Sequence, residues 1–222
     1  INPIITKVTF PVMAKLQDDI PRLKNIYLKT INYLSSVNFP IYVFIFIFAH
    51  EVVLIMFGEK WLEAVYIMQI LSIWGAMRST ASPIGSLLLA RGKAKLGFWW
   101  NLGLFFYVPV GIYAGSYWGL EGISWSLVFL SFPLGMIANW YVLVRTLCGA
   151  KFIEYHKEIF IPFFIASVSG LVVYISIYFV EIVWLRLLIG SITGLILVAG
   201  LNYLMNKKFI NELKGFRGRR GL

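Results

Sequence analysis

Residues 159–180 read IFIPFFIASVSGLVVYISIYFV, 22 positions without one charged side chain. About 20 helical residues cross the roughly 30 Å hydrocarbon core of a bilayer, so this run is long enough to span one. Strands of a membrane barrel would alternate polar and apolar positions over about ten residues. This run does not alternate, and it predicts a transmembrane helix.

Reading outward, runs of the same kind occupy about 33–57, 62–90, 96–117, 120–144 and 183–205. The last follows 159–180 after only a tight turn near Glu181 and Ile182. The chain therefore reads as an all-α integral membrane protein with about six transmembrane helices. Composition agrees: 222 residues are 59% hydrophobic and 14% charged, with mean hydropathy +0.79. A soluble domain carries roughly 25% charged residues, and no water-soluble fold could hide this much apolar surface.

The net charge of +10 would suggest nucleic acid in a soluble protein. Here the cations lie between apolar runs, which reads as topology and not as a nucleic-acid face. Lys7, Lys15, Arg22, Lys24 and Lys29 precede the first run, and Arg91, Lys93 and Lys95 follow the second. Arg145, Lys151 and Lys157 follow the fourth; Lys207, Lys208, Lys214, Arg217, Arg219 and Arg220 follow the sixth. These are seventeen of the twenty Lys and Arg, all on one side, against Lys60 and Arg186 on the other. The positive-inside rule then predicts both ends in the cytoplasm. The basic tail reads as an orientation signal resting on acidic headgroups.

Before the first run, Ile20, Leu23, Ile26, Tyr27 and Ile31 recur at helical spacing among charges, predicting an amphipathic helix on the membrane surface. The chain opens Ile1-Asn2-Pro3 without Met or a signal segment, as part of something longer would. A single cysteine, Cys148, leaves no intrachain disulfide and is placed in a cytoplasmic loop.

Arg78 is the clearest cation inside a run, and a charge in hydrocarbon demands a partner or a water-filled cavity. It opens the polar stretch Arg78-Ser79-Thr80-Ala81-Ser82-Pro83, where Pro83 frees the carbonyl of Ser79. Arg78 and Ser82, on one helix face with Gly75, Gly85 and Ser86, can line a cavity for an anion such as a pyrophosphate. The same residues also suit an Arg held structurally by a neighbouring helix. Asn101 and Asn139 can bind a sugar or join helices by hydrogen bonds. His50 and Glu51 fall near the outer end of the first span, where they can form a proton-coupling pair or be satisfied by interfacial water. Gly111, Gly115 and Gly119, and again Gly190 and Gly194, have the spacing that lets helices approach closely. No metal-ligand set, phosphate loop or catalytic triad can be assembled, and no cofactor is implied.

Three segments resemble a known family. They are Phe10-Pro11-Val12-Met13-Ala14-Lys15-Leu16-Gln17-Asp18-Asp19, Phe57-Gly58-Glu59-Lys60-Trp61 with Gln69-Ile70-Leu71, and Gly85 to Lys93, reading GSLLLARGK. They are similar to the lipopolysaccharide and exopolysaccharide exporters of the multidrug/oligosaccharidyl-lipid/polysaccharide flippase superfamily. The resemblance implies the C-terminal part of a fourteen-helix, two-lobe fold. Residues 1–32 would be a cytoplasmic interfacial segment and 33–144 four helices of the second lobe. Residues 145–158 would be a cytoplasmic loop, 159–205 a terminal helix pair and 206–222 a basic cytoplasmic tail.

It implies a non-enzymatic transporter of the bacterial inner membrane that flips an undecaprenyl-pyrophosphate-linked oligosaccharide by alternating access. Arg78, Ser82, Asn101 and Asn139 would be substrate-binding. The missing N-terminal lobe would be an obligatory partner, and the fragment alone would be inactive. An ion-coupled drug exporter of the same superfamily and a non-catalytic membrane scaffold are the competing readings.

Overall fold

The computed structural model describes residues 2–210, with side chains from residue 9 onward; most of the basic tail lies outside them. Helix α1 spans Asn2–Lys15, α2 Ile20–Ile47 and α3 Ala49–Phe57. Then come α4 (Ala64–Ser79), α5 (Ile84–Ala90), α6 (Ala94–Ser116) and α7 (Gly119–Pro133). A π-helical stretch, Leu134–Val144, continues α7 into the short α8 (Arg145–Cys148). The terminal helices are α9 (Phe152–Ile177) and α10 (Val183–Met205). No strand occurs among the described residues, and the chain is an all-α integral membrane protein.

Five helical segments are long and apolar enough to cross a bilayer: Ile20–Ile47, Ala94–Ser116, Gly119–Cys148, Phe152–Ile177 and Val183–Met205. The remaining predicted span, 62–90, is divided into α4 and α5 by a turn over residues 80–83. Pro83 has no N–H for the helix ladder; Ala81 instead donates to the Arg78 carbonyl at 3.2 Å and Ile84 to that of Ala81 at 3.2 Å. The single face drawn through Gly75, Arg78, Ser82, Gly85 and Ser86 assumed an unbroken helix. The turn removes that assumption: Arg78 and Gly85 are exposed, while Ser86 is buried.

The surface helix expected near residues 20–31 is instead the first part of α2, which runs unbroken to Ile47. Asp19 caps it by accepting from the Arg22 N–H at 3.1 Å, and no Gly or Pro interrupts it until Pro40. Its amphipathic pattern has a different cause. Leu23, Tyr27, Ile31 and Leu34, all fully buried, form one packed face. At 28 residues, α2 is about 42 Å long, more than the hydrocarbon core requires. The interval 145–158 is also more helical than expected: α8 ends at Cys148 and α9 already begins at Phe152. Glu154 closes that start by accepting from the Lys151 N–H at 3.0 Å.

Two glycines of the resembling segments have backbone reasons to be there. Gly58 ends α3 at φ +83° and ψ 175°, a region open essentially to glycine alone. Gly92 turns the chain between α5 and α6 at φ +62°.

The helices pack in a row. From α2, one side continues through α9 to α10, and the other through α4 and α7 to α6. A Cβ on Gly115 would come within 2.5 Å of the Gly122 carbonyl oxygen, so α6 and α7 touch backbone to backbone. The largest apolar core joins Met13, Leu23, Tyr27, Leu87, Leu143 and Tyr155 from α1, α2, α5, the π-helical stretch and α9. The positive-inside expectation would put this core at the cytoplasmic end. Elsewhere large side chains face outward, among them Phe105 (68% exposed), Tyr113 (68%) and Trp118 (75%). Lipid solvates such surfaces, so the helices need no second apolar layer.

The charge distribution predicts the orientation of this row. With Cys148 replaced by Ser, a cysteine at Lys60 should react with a membrane-impermeant maleimide added outside intact cells. One at Lys93 should react only after lysis; the reverse pattern would invert the topology.

Candidate functional site

The four residues expected to meet substrate occupy separate environments. Arg78 lies in the last turn of α4, exposed, with its guanidinium 5.2 Å from the centroid of the Trp74 ring. No carboxylate pairs with it among the described residues. Ser82 lies half-buried in the turn that follows. Asn101 is exposed on α6 and donates to the Gly97 carbonyl of its own helix at 2.8 Å. Asn139 is buried (3% exposed), and its Nδ2 lies 3.4 Å from the Tyr155 hydroxyl on α9. Arg78 and Ser82 thus sit at one helix break, while Asn101 and Asn139 are held by partners elsewhere.

Around that break the hydroxyls are turned inward. Ser79 donates to the Ala76 carbonyl at 2.7 Å, and Thr80 to that of Met77 at 2.8 Å. These side chains satisfy helix-end carbonyls and leave Arg78 as the outward-facing polar group. Its charge is delocalised over a planar guanidinium, which suits phosphate recognition and aromatic stacking. The site can therefore hold an anion by charge. Among the described residues, no group of three or more His, Cys, Asp or Glu could hold a metal ion.

Glu51 differs from its expected place at the wet outer end of a span. It is 1% exposed, and Arg186 Nη1 of α10 lies 3.0 Å from its Oε1. Neither carboxylate oxygen accepts a hydrogen bond and Arg186 Nε donates none, so charge alone joins the two. The cause is tertiary: α10 brings Arg186, 30% exposed, beside the buried Glu51 across 135 positions of sequence. At the other end of α10, Asn206 donates to Ser36 of α2 at 2.8 Å and to Asn202 at 3.1 Å. Just beyond it Lys208 pairs with Glu158 of α9, which is 5% exposed. Of these contacts, local spacing signals only Asn206 with Asn202, four residues apart.

The comparisons with known proteins agree with this architecture. Residues 1–66 match the family model described as polysaccharide biosynthesis protein. The chain is 36% identical over 165 residues to an uncharacterized membrane protein in the cps region of Klebsiella pneumoniae, covering 73% of this chain and 34% of that protein. It is 29% identical over 175 residues to the lipopolysaccharide biosynthesis protein WzxC of Escherichia coli, covering 78% and 35%. It is 31% identical over 175 residues to the teichuronic acid biosynthesis protein TuaB of Bacillus subtilis, covering 78% and 36%. The chain is thus similar in sequence to proteins named for polysaccharide biosynthesis. It spans about a third of the length of the curated relatives it matches. No solved structure matches it. The family match covers α1, α2 and α3 up to the start of α4, including Glu51 but not Arg78.

The buried pair makes a prediction. Removing one member strands a charge, whereas removing both does not. Glu51→Leu and Arg186→Leu should each cost about 3 kcal/mol, seen as a lower melting temperature in detergent. The double variant should recover most of that loss. A double variant as unstable as the sum of the singles would contradict the pairing.

Proposed function

We propose that this chain supplies the second-lobe helices and terminal pair of a flippase for lipid-linked oligosaccharides. The observation that carries the reading is kinship over about three quarters of the chain with membrane proteins named for lipopolysaccharide and teichuronic acid biosynthesis. In this reading the cargo is an oligosaccharide on undecaprenyl pyrophosphate. It crosses the bacterial inner membrane by alternating access, without covalent chemistry, as the two lobes rock.

Arg78 supports the reading. It is an exposed cation at a helix break, with an aromatic ring as its neighbour and no carboxylate paired with it among the described residues. A pyrophosphate headgroup passing that face would find a charge not already spent on an ion pair. Ser82, Asn101 and Asn139 are assigned lesser parts: Ser82 beside Arg78, and the two asparagines as polar groups of the lobe. Both termini of the chain are cytoplasmic, and the chain without the first lobe does not transport.

The full-length protein should restore surface polymer to a flippase-deficient strain. Arg78→Ala should lower polymer by about tenfold at unchanged protein level, the loss of one charge-assisted contact. Arg78→Lys should retain part of the activity. Full activity of Arg78→Ala would make Arg78 a structural residue.

A further inference from the structure

The apolar segment Gly119–Cys148 ends in an exposed stripe that changes character along its length. Ile137 (58% exposed), Tyr141 (59%) and the exposed Arg145 follow one another at four-residue spacing through the π-helical stretch into α8. The Arg145 guanidinium lies 5.4 Å from the centroid of the Tyr141 ring and 5.9 Å from that of Trp140. No carboxylate pairs with it among the described residues. The Trp140 ring nitrogen donates to the Ala150 carbonyl at 2.9 Å, which draws the turn before α9 against the same ring. Lys151, exposed, is the next residue of that turn. The carboxylate closest to it in sequence, Glu154, is already engaged by Lys24 Nζ at 3.1 Å and by the Lys151 N–H at 3.0 Å.

We propose that this stripe binds one anionic phospholipid, with its phosphate on Arg145 and a hydrocarbon chain along Tyr141 and Ile137. The inference rests on Gly119–Cys148 crossing the bilayer, not on the transport reading. A planar guanidinium matches phosphate geometry, and basic residues at the end of a membrane helix attract anionic headgroups. Lys151 adds a second positive charge close by, which favours a headgroup of net negative charge over a zwitterionic one. The apolar half of the stripe separates lipid from other anions. Ile137 lies about 10 Å along the helix from Arg145, below the level that a free phosphate or an acidic protein segment would occupy. A lipid reaches both ends at once.

Titration of the purified full-length protein in detergent with phosphatidylglycerol, read by native mass spectrometry, tests this assignment. Arg145→Gln should weaken binding about fivefold, the worth of one basic residue at an anionic lipid surface. Arg145→Lys keeps the charge and should stay within about twofold of wild type. Because Arg145 is exposed, Arg145→Gln should melt at the wild-type temperature, so that the loss is one of binding and not of fold. Phosphatidylethanolamine with the same chains should bind more weakly than phosphatidylglycerol, and excess inorganic phosphate should not displace the lipid. Equal binding by wild type and Arg145→Gln, as would follow if another part of the full-length protein covered the stripe, would overturn the proposal. Equal affinity for the two lipids, or displacement by phosphate, would overturn it as well.

Discussion

In the hydrocarbon of a bilayer, a charge or a freed backbone group must find its partner within the protein, because water is not there to supply one. Most of what distinguishes this structure from a stack of apolar helices follows from that constraint. Glu51 is tolerable in α3 because α10 brings Arg186 to it. The break between α2 and α3 is steadied where Gln69 of α4 donates to the Phe46 carbonyl at 3.2 Å. The polar end of α10 is settled through Asn206, Ser36 and Asn202. Glu51 with Arg186 and Asn206 with Ser36 join elements far apart in sequence, so the need to satisfy a group also fixes which helices are neighbours.

Apolar packing is distributed accordingly. The largest buried cluster gathers helix ends and the segments between them: α1, the start of α2, α5, α8 and the start of α9. Lys24 reaches Glu154 at 3.1 Å beside it, and the Trp140 ring nitrogen donates to the Ala150 carbonyl at 2.9 Å. At that level water competes for exposed surface, so burial there gains from the hydrophobic effect. Deeper in the bilayer lipid tails are as apolar as leucine. The helices there rely on close approach, as at Gly111 against Leu130 or Gly190 against Phe48, and leave aromatic rings exposed.

The fold class was legible in the sequence because length, hydropathy and charge sidedness are local properties. Runs such as 159–180 and 183–205 declare themselves without reference to anything distant. Pro83 also announced non-ideal backbone, although the helix break proved complete enough to undo the single face drawn through Arg78 and Gly85. The misplaced features were tertiary ones. A helical stripe at Leu23, Tyr27 and Ile31 has the same period whether it faces lipid headgroups or another helix. Glu51 seemed interfacial because nothing near it in sequence hints at Arg186. At the candidate site, Arg78 is conspicuous in sequence as a cation within an apolar run, but that no carboxylate pairs with it among the described residues depends on where the neighbouring helices lie.

The flippase account makes transbilayer movement of a lipid-linked oligosaccharide its central claim, and that movement can be watched directly. The purified full-length protein would be reconstituted into vesicles holding an undecaprenyl-pyrophosphate-linked oligosaccharide, and the fraction open to an added glycosidase followed with time. The account predicts that oligosaccharide protected in the inner leaflet becomes cleavable at a rate that rises with protein per vesicle. A protected fraction that stays constant with every candidate oligosaccharide would contradict it.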